Sequence, residues 1–185
     1  MTRYWFPKAY ADFAQRLRAP SGFVLAAAFA YWAAPSVKSM AYGILVSLLG
    51  LALRAWAAGH LAKNQNLATS GPYGHTRNPL YIGTLLVAAG LAVTSRQPAL
   101  AVLFAVAFAL VYLPAIELEE QHLRKLFAEY ADYARSVSRL GFRLSPRGGR
   151  ESFQFALYMK NEEYKAALGF LFAVALLVYK VMLEK

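Results

Sequence analysis

Long apolar runs alternate with short polar connections along this chain, and the connections hold nearly all of its charge. The first run, residues 22–34, is closed by Pro35 and is short for a hydrocarbon layer of about 30 Å, so Tyr31 and Trp32 are expected to anchor it near one surface. A second run covers residues 40–58 and contains Arg54, which should snorkel or face a polar interior. A third run (80–94) and a fourth (99–116) are separated only by Arg96-Gln97-Pro98, which forces an antiparallel hairpin, and Pro114 should kink the end of the fourth. A fifth run covers 166–183. The pattern predicts an all-α, polytopic integral membrane protein with about five transmembrane helices plus interfacial amphipathic helices.

The remaining stretches have their own periodicity. In residues 1–18, Phe6, Tyr10, Phe13 and Leu17 recur at helical spacing among Arg3, Lys8, Arg16 and Arg18, which reads as an amphipathic helix lying at the interface. Aromatics and charges interrupt this stretch, so it does not read as a cleavable signal peptide. Residues 117–138 place Leu123, Leu126, Phe127, Tyr130, Tyr133 and Val137 on one stripe opposite a charged face. This reads as an amphipathic helix continuing the fourth span out of the bilayer, its stripe serving packing or membrane docking rather than a cofactor. A basic, glycine-containing loop (139–150) and an interfacial piece (151–165) lead to the last span. The whole is read as one membrane-embedded domain with its core at 50–145 and a C-terminal extension over 151–185.

Composition narrows the chemistry. Of the 185 residues, 58% are hydrophobic and 16% charged, which favours a membrane protein over a soluble one. There is no cysteine, which removes disulfides and thiolate metal sites, and His60, His75 and His122 lack the paired spacing of a metal centre. No soluble basic domain carries the net charge of +10, so we read it as orientation charge rather than a nucleic-acid surface. A cytoplasmic N-terminus puts Arg3, Lys8, Arg16, Arg18, Lys63, Arg77 and the nine Lys and Arg residues between 124 and 165 on the inner side. Only Lys38, Arg96, Lys180 and Lys185 then lie outside. The loop before the third span and the Glu-rich helix after the fourth therefore share the cytoplasmic face of what is expected to be a bacterial inner membrane.

Those two polar elements leave the bilayer at the ends of one helical hairpin and so lie close in space. Together they supply Tyr73, His75, Arg77, Asn78, Tyr81, Glu119, Glu120 and His122. Carboxylates and tyrosine faces suit a cation, and arginine suits a carboxylate, so a zwitterionic, cationic small molecule fits there. Glu119 and Glu120 lie about 100° apart around a helix, so at most one of them points into the pocket; Glu119 is the expected one, with Glu120 pairing Arg124 at i,i+4. Neither Gly-x-Gly-x-x-Gly nor Gly-x4-Gly-Lys occurs, which leaves Rossmann and phosphate-loop sites without support.

Leu67-Ala68-Thr69-Ser70-Gly71-Pro72-Tyr73, then Arg77-Asn78-Pro79-Leu80-Tyr81-Ile82-Gly83, then Glu119-Glu120-x-x-Leu123-x-x-x-Phe127 with Tyr130 and Tyr133, resembles the isoprenylcysteine carboxyl methyltransferase family. That family belongs to a wider group of integral membrane methyltransferases that includes the phospholipid N-methyltransferases. The resemblance covers roughly residues 50–145. It implies that S-adenosylmethionine is held on the cytosolic side while a lipophilic acceptor enters from the bilayer. The residues it implies for the cofactor are His60, Gln65, Asn66, Leu67, Ala68, Tyr73, Asn78, Pro79, Leu80, Tyr81 and Glu119. Catalysis would rest on Arg77, Asn78, Tyr81 and Glu119, with His75 or His122 as base if the acceptor is an amine. Asn78 stands where the family usually has histidine, and Ala115 stands where eukaryotic members have an arginine that engages the acceptor carboxylate. The alternatives are a phospholipid N-methyltransferase, a sterol-reductase-like enzyme using NADPH, and a non-enzymatic membrane scaffold. The oligomeric state and the role of the last helix stay open.

Overall fold

The computed structural model describes residues 5–149 and 151–183; Arg3, Arg150 and Lys185 lie outside the described residues. These residues form seven helices and no strand: α1 (Lys8–Trp32), α2 (Val37–Ala58), α3 (Pro79–Ser95), α4 (Pro98–Leu126), α5 (Tyr130–Ser136), α6 (Phe155–Lys160) and α7 (Tyr164–Leu183). Three of them, α2, α4 and α7, are long and apolar enough to cross a membrane, and α3 is a shorter apolar helix. Phe23, Leu49, Val102 and Phe172 are exposed, as expected of side chains facing lipid rather than water.

α2 and α3 pack as a close antiparallel pair, and glycine makes the approach possible. Gly43 and Gly50 on α2 face Gly90 and Gly83 on α3; a Cβ on Gly50 would lie 2.6 Å from the Gly83 carbonyl oxygen. Between the two contacts Ser47 donates its hydroxyl to the Val87 carbonyl at 3.2 Å. Small residues joined by an interhelical hydrogen bond are the usual solution where lipid removes the hydrophobic drive between helices. Arg96, in the left-handed conformation (φ 54°), closes α3 and starts the tight turn into α4.

Two expectations are corrected here. Residues 1–18 and 22–34 are not an interfacial helix followed by a separate short span: α1 runs unbroken through Pro20. A mid-helix proline removes one hydrogen bond at a cost of about 3 kcal/mol, and packing of α1 along α4 offsets it. The stripe over 117–138 is likewise not one helix. It ends at Leu126, Phe127 is extended (φ −123°, ψ 117°), and α5 begins at Tyr130. The break turns Tyr130, Tyr133 and Val137 back to pack with Leu67, Leu123 and Phe127, whereas Leu126 stays exposed.

Pro114 acts before its own position rather than as a terminal kink. Residues Phe108–Tyr112 are π-helical, and the Leu113 N–H reaches back to the Phe108 carbonyl. The wider turn accommodates the proline ring, and the Leu110 carbonyl accepts a hydrogen bond from the Tyr10 hydroxyl at 2.7 Å. At the far end of the bundle Ala34 N–H bonds the Ser95 carbonyl at 3.0 Å and Lys180 Nζ donates to the Ala33 carbonyl at 2.7 Å. Lys38, Arg96 and Lys180 thus gather at one end and the polar loops at the other, which is the charge asymmetry read from sequence.

Candidate active site

The loop between α2 and α3 is stiff because its turns are built in. Residues Gly71–Gly74 form a 3₁₀ turn started by Pro72, and Gly71 has φ 55°, a conformation that glycine adopts without strain. Asn78 and Pro79 then start α3. The basic loop after α5 runs back beneath this turn: Arg143 N–H bonds the His75 carbonyl at 3.1 Å and Arg147 N–H the Gly74 carbonyl at 2.9 Å. Tyr133 adds a hydrogen bond from its hydroxyl to the Tyr73 carbonyl at 2.7 Å.

One carboxylate joins the loop to the acidic helix. Glu120 is 2% exposed and accepts from Arg77 Nε at 3.0 Å, Asn78 Nδ2 at 3.1 Å and Arg139 Nη2 at 2.8 Å. The expected pairing of Glu120 with Arg124 is therefore replaced. Arg124 instead lies over the Tyr130 ring, 5.2 Å from its centroid. Arg77 also donates Nη1 to the Ala134 carbonyl at 2.7 Å, which fixes the end of α5. Glu119, one residue earlier, is exposed and accepts the Tyr81 hydroxyl at 2.8 Å; Arg18 of α1 donates to the same hydroxyl at 2.9 Å.

These elements enclose a polar cavity of about 420 Å³, within the usual range of small-molecule sites. The loop contributes Asn66, Leu67, Ala68, Tyr73, Arg77 and Asn78 to its lining, and the acidic helix contributes Glu119 and His122. Sequence reasoning missed Gln15 and Arg18 on α1, Lys63 and Asn64 in the loop, and Leu123, Tyr130 and Tyr133 from the stripe expected to serve packing or membrane docking. The Tyr130 hydroxyl has no hydrogen-bond partner among the described residues although it is buried.

Not every expected residue reaches this cavity. The structure places His60 outside it, with Nδ1 2.9 Å from the Trp56 carbonyl oxygen and Nε2 3.2 Å from that of Glu151. Gln65 is exposed, and Pro79 and Leu80 start α3 behind the lining. His75 stacks on Phe142 at 4.8 Å and puts Nδ1 2.6 Å from the Arg143 carbonyl oxygen, so it supports the loop. His122 is in the lining, with Nε2 3.2 Å from Asn64 Oδ1. Burial pushes the Tyr73 phenol well above its ordinary value, and the carboxylates of Glu119 and Glu163 push it in the same direction. Burial likewise raises Tyr130 and Tyr133.

A second cavity, of about 500 Å³, opens among the membrane-spanning helices. Its walls are almost wholly apolar: Leu25 and Phe29 of α1, Val87 and Leu91 of α3, Phe104 and Phe108 of α4, Phe170 and Leu176 of α7. Arg54, Thr84 and Tyr112 are its polar points. Of the two expectations for Arg54 the structure shows the polar surrounding: it is paired with Glu163 at 2.6 Å. Tyr81 lines neither cavity but contacts residues of both linings. Its hydroxyl meets Arg18 and Glu119 of the polar cavity, and its ring packs edge-on against Tyr112 of the apolar one at 6.3 Å.

Residues 39–130 match the phospholipid methyltransferase family. Among curated proteins, the cobalt-zinc-cadmium resistance protein CzcN of Cupriavidus metallidurans is 36% identical over 124 residues, 66% of this chain and 56% of that one. The nickel-cobalt-cadmium resistance protein NccN of Alcaligenes xylosoxydans xylosoxydans is 35% identical over 108 residues, 55% of this chain and 51% of its own length. The chain thus spans about half the length of the curated relatives it matches. No solved structure matches it.

Proposed function

We propose that this integral membrane protein is a methyltransferase of the phospholipid methyltransferase type, moving a methyl group from S-adenosylmethionine to an amine-bearing lipid held among its helices. The observation that carries the reading is the position of Tyr81, which lines neither cavity but bonds Glu119 and Arg18 of the polar cavity's lining through its hydroxyl and packs its ring on Tyr112 of the apolar cavity's lining. A donor that is charged and an acceptor that is lipophilic need two such compartments meeting at one point. The family matched by residues 39–130 favours a lipid amine over the carboxyl acceptor first expected. Ala115, fully buried in α4, offers no charge to a carboxylate in place of the arginine of the eukaryotic carboxyl methyltransferases.

The donor set of the polar cavity suits the cofactor. Glu119 offers an exposed carboxylate to a cation, Arg18 and Lys63 suit a carboxylate, and Asn66 and the Tyr130 hydroxyl, without a partner among the described residues, suit a base or sugar. Bound S-adenosylmethionine would supply an electrophilic methyl group on a sulfonium. Arg77 and Asn78, pinned by Glu120, shape the floor rather than react. Tyr73, held neutral by burial, and Tyr81 keep water out of the junction and orient what lies on either side. An amine acceptor must lose a proton before it attacks, and His122, in the lining and open to water, is the histidine on the donor side through which that proton would pass to solvent.

The test is methyl transfer itself. Purified protein incubated with methyl-labelled S-adenosylmethionine and dioleoylphosphatidylethanolamine should move label into the lipid phase in a form that mild base does not release. Base-labile label would point to a carboxyl acceptor, and no label in any lipid extract would overturn the proposal.

A further inference from the structure

The segment after residue 150 lies outside the part matched by the family, yet it delivers a carboxylate to Arg54, a residue that lines the apolar cavity. Glu163 follows a turn in which Glu162 is left-handed (φ 57°), and it grips Arg54 with both oxygens: Nε to Oε2 at 2.9 Å and Nη2 to Oε1 at 2.6 Å. The free Nη1 of Arg54 donates to the Leu80 carbonyl at 3.3 Å and to the Thr84 hydroxyl. α3 therefore fixes Arg54 independently of Glu163. Glu163, in contrast, has Arg54 as its one side-chain partner among the described residues. The two side chains keep 21% and 11% of their surface accessible, so the pair is not sealed. Arg54 and Thr84 line the cavity, and the helix that Glu163 precedes closes its other side through Ala166, Gly169 and Phe170.

An ion pair with one member in such a wall adds little to stability compared with apolar groups of the same size, so its place calls for another account. We propose that Arg54 and Glu163 select the acceptor headgroup: the guanidinium takes a lipid phosphate, and Glu163 turns from it to the lipid ammonium. A zwitterionic amine lipid then exchanges one internal ion pair for two. An anionic lipid without an amine takes Arg54 and strands Glu163, which is a cost of the kind that leaves a half-buried charge unpaired. The inference rests on the lipid-amine reading above and assigns a role to the C-terminal extension.

Lipid retention by the whole protein, measured by native mass spectrometry without S-adenosylmethionine, tests this. The probes are dioleoylphosphatidylethanolamine, dioleoylphosphatidylglycerol, glycerophosphoethanolamine and inorganic phosphate. Wild type should retain the amine lipid over the glycerol lipid by about tenfold, the equivalent of one charge-assisted hydrogen bond. Glu163→Gln should bring that ratio near one. Should Glu163→Gln unfold, the exchanged pair Arg54→Glu with Glu163→Arg keeps the ion pair and should still lose the preference. Either variant retaining the wild-type ratio while folded would overturn the proposal. So would displacement of the lipid by glycerophosphoethanolamine or phosphate at equal concentration, which would mean a free anion site. Calorimetry with S-adenosylhomocysteine on the same samples keeps the two readings apart: lipid preference without cofactor binding leaves the pair and removes the methyltransferase.

Discussion

Replacing Glu120 with alanine removes the single acceptor shared by Arg77, Asn78 and Arg139. The Glu120 side chain is 3% exposed, Arg77 11% and Arg139 24%, so two guanidinium groups would lose their counter-charge in a place where water reaches only one of them well. Removing one partner of a buried pair costs about 3–5 kcal/mol, and partial rehydration of Arg139 argues for about 3 kcal/mol. For a chain of this length that is a fall of about 6–12 °C in the unfolding midpoint. Near-UV circular dichroism in detergent, at one fixed scan rate, reads it. Glu119→Gln is the control: Glu119 is exposed and should leave the midpoint within about 2 °C of wild type. Glu120→Ala should also expose the 71–78 loop to protease, because Arg77 then lets go of the end of α5. If Glu120→Ala unfolds where Glu119→Gln does, the carboxylate is not what joins the loop to the acidic helix.

Gly50→Leu should separate α2 from α3, because its Cβ alone would meet the Gly83 carbonyl at 2.6 Å; loss of folded, monodisperse protein on gel filtration is expected, whereas Gly22→Leu, where a Cβ meets nothing within 4 Å, should behave as wild type. Burial holds the phenols of Tyr73, Tyr130 and Tyr133 above their ordinary value of about 10. Their contribution to stability is therefore complete below pH ~10 and is lost as pH rises towards the folded values. The unfolding midpoint should be flat from neutrality to about pH 9.5 and fall above it, with Tyr73→Phe lessening the slope. Glu117, 1% exposed, accepts the backbone N–H groups of Trp5 and Phe6 at 2.7 and 3.1 Å. Glu117→Ala should release this N-terminal strap, seen as faster hydrogen exchange at Trp5 and Phe6 with little change deeper in α1.

The membrane-spanning architecture was legible because lipid demands long apolar runs, and the ends of α2, α3 and α7 fall within three residues of where the runs begin and end. The coupling of the α2–α3 loop to the acidic helix was legible too, since a turn of two or three residues between α3 and α4 allows no other topology. What escaped was set by long-range packing. Nothing local tells that α1 continues through Pro20, and so Arg18 reads from sequence as surface charge on a short helix and not as a neighbour of Tyr81. The extended Phe127 has no proline or glycine to announce it, so Tyr130 and Tyr133 were assigned to a stripe that the chain in fact folds back over the cavity. Arg54 carried a signal, a charge inside an apolar run, but its partner Glu163 lies 109 residues away and no periodicity connects them.

The central claim is that the polar cavity bounded by Tyr73, Arg18 and Glu119 holds S-adenosylmethionine, and isothermal titration of the detergent-purified protein with S-adenosylhomocysteine and S-adenosylmethionine tests it most directly. Saturable binding of both at one site is expected. Glu119→Gln should weaken S-adenosylmethionine by about tenfold through loss of a charged contact, with a smaller effect on S-adenosylhomocysteine, which lacks the sulfonium charge. No saturable heat from either ligand, or equal binding to wild type and Glu119→Gln, would contradict the account.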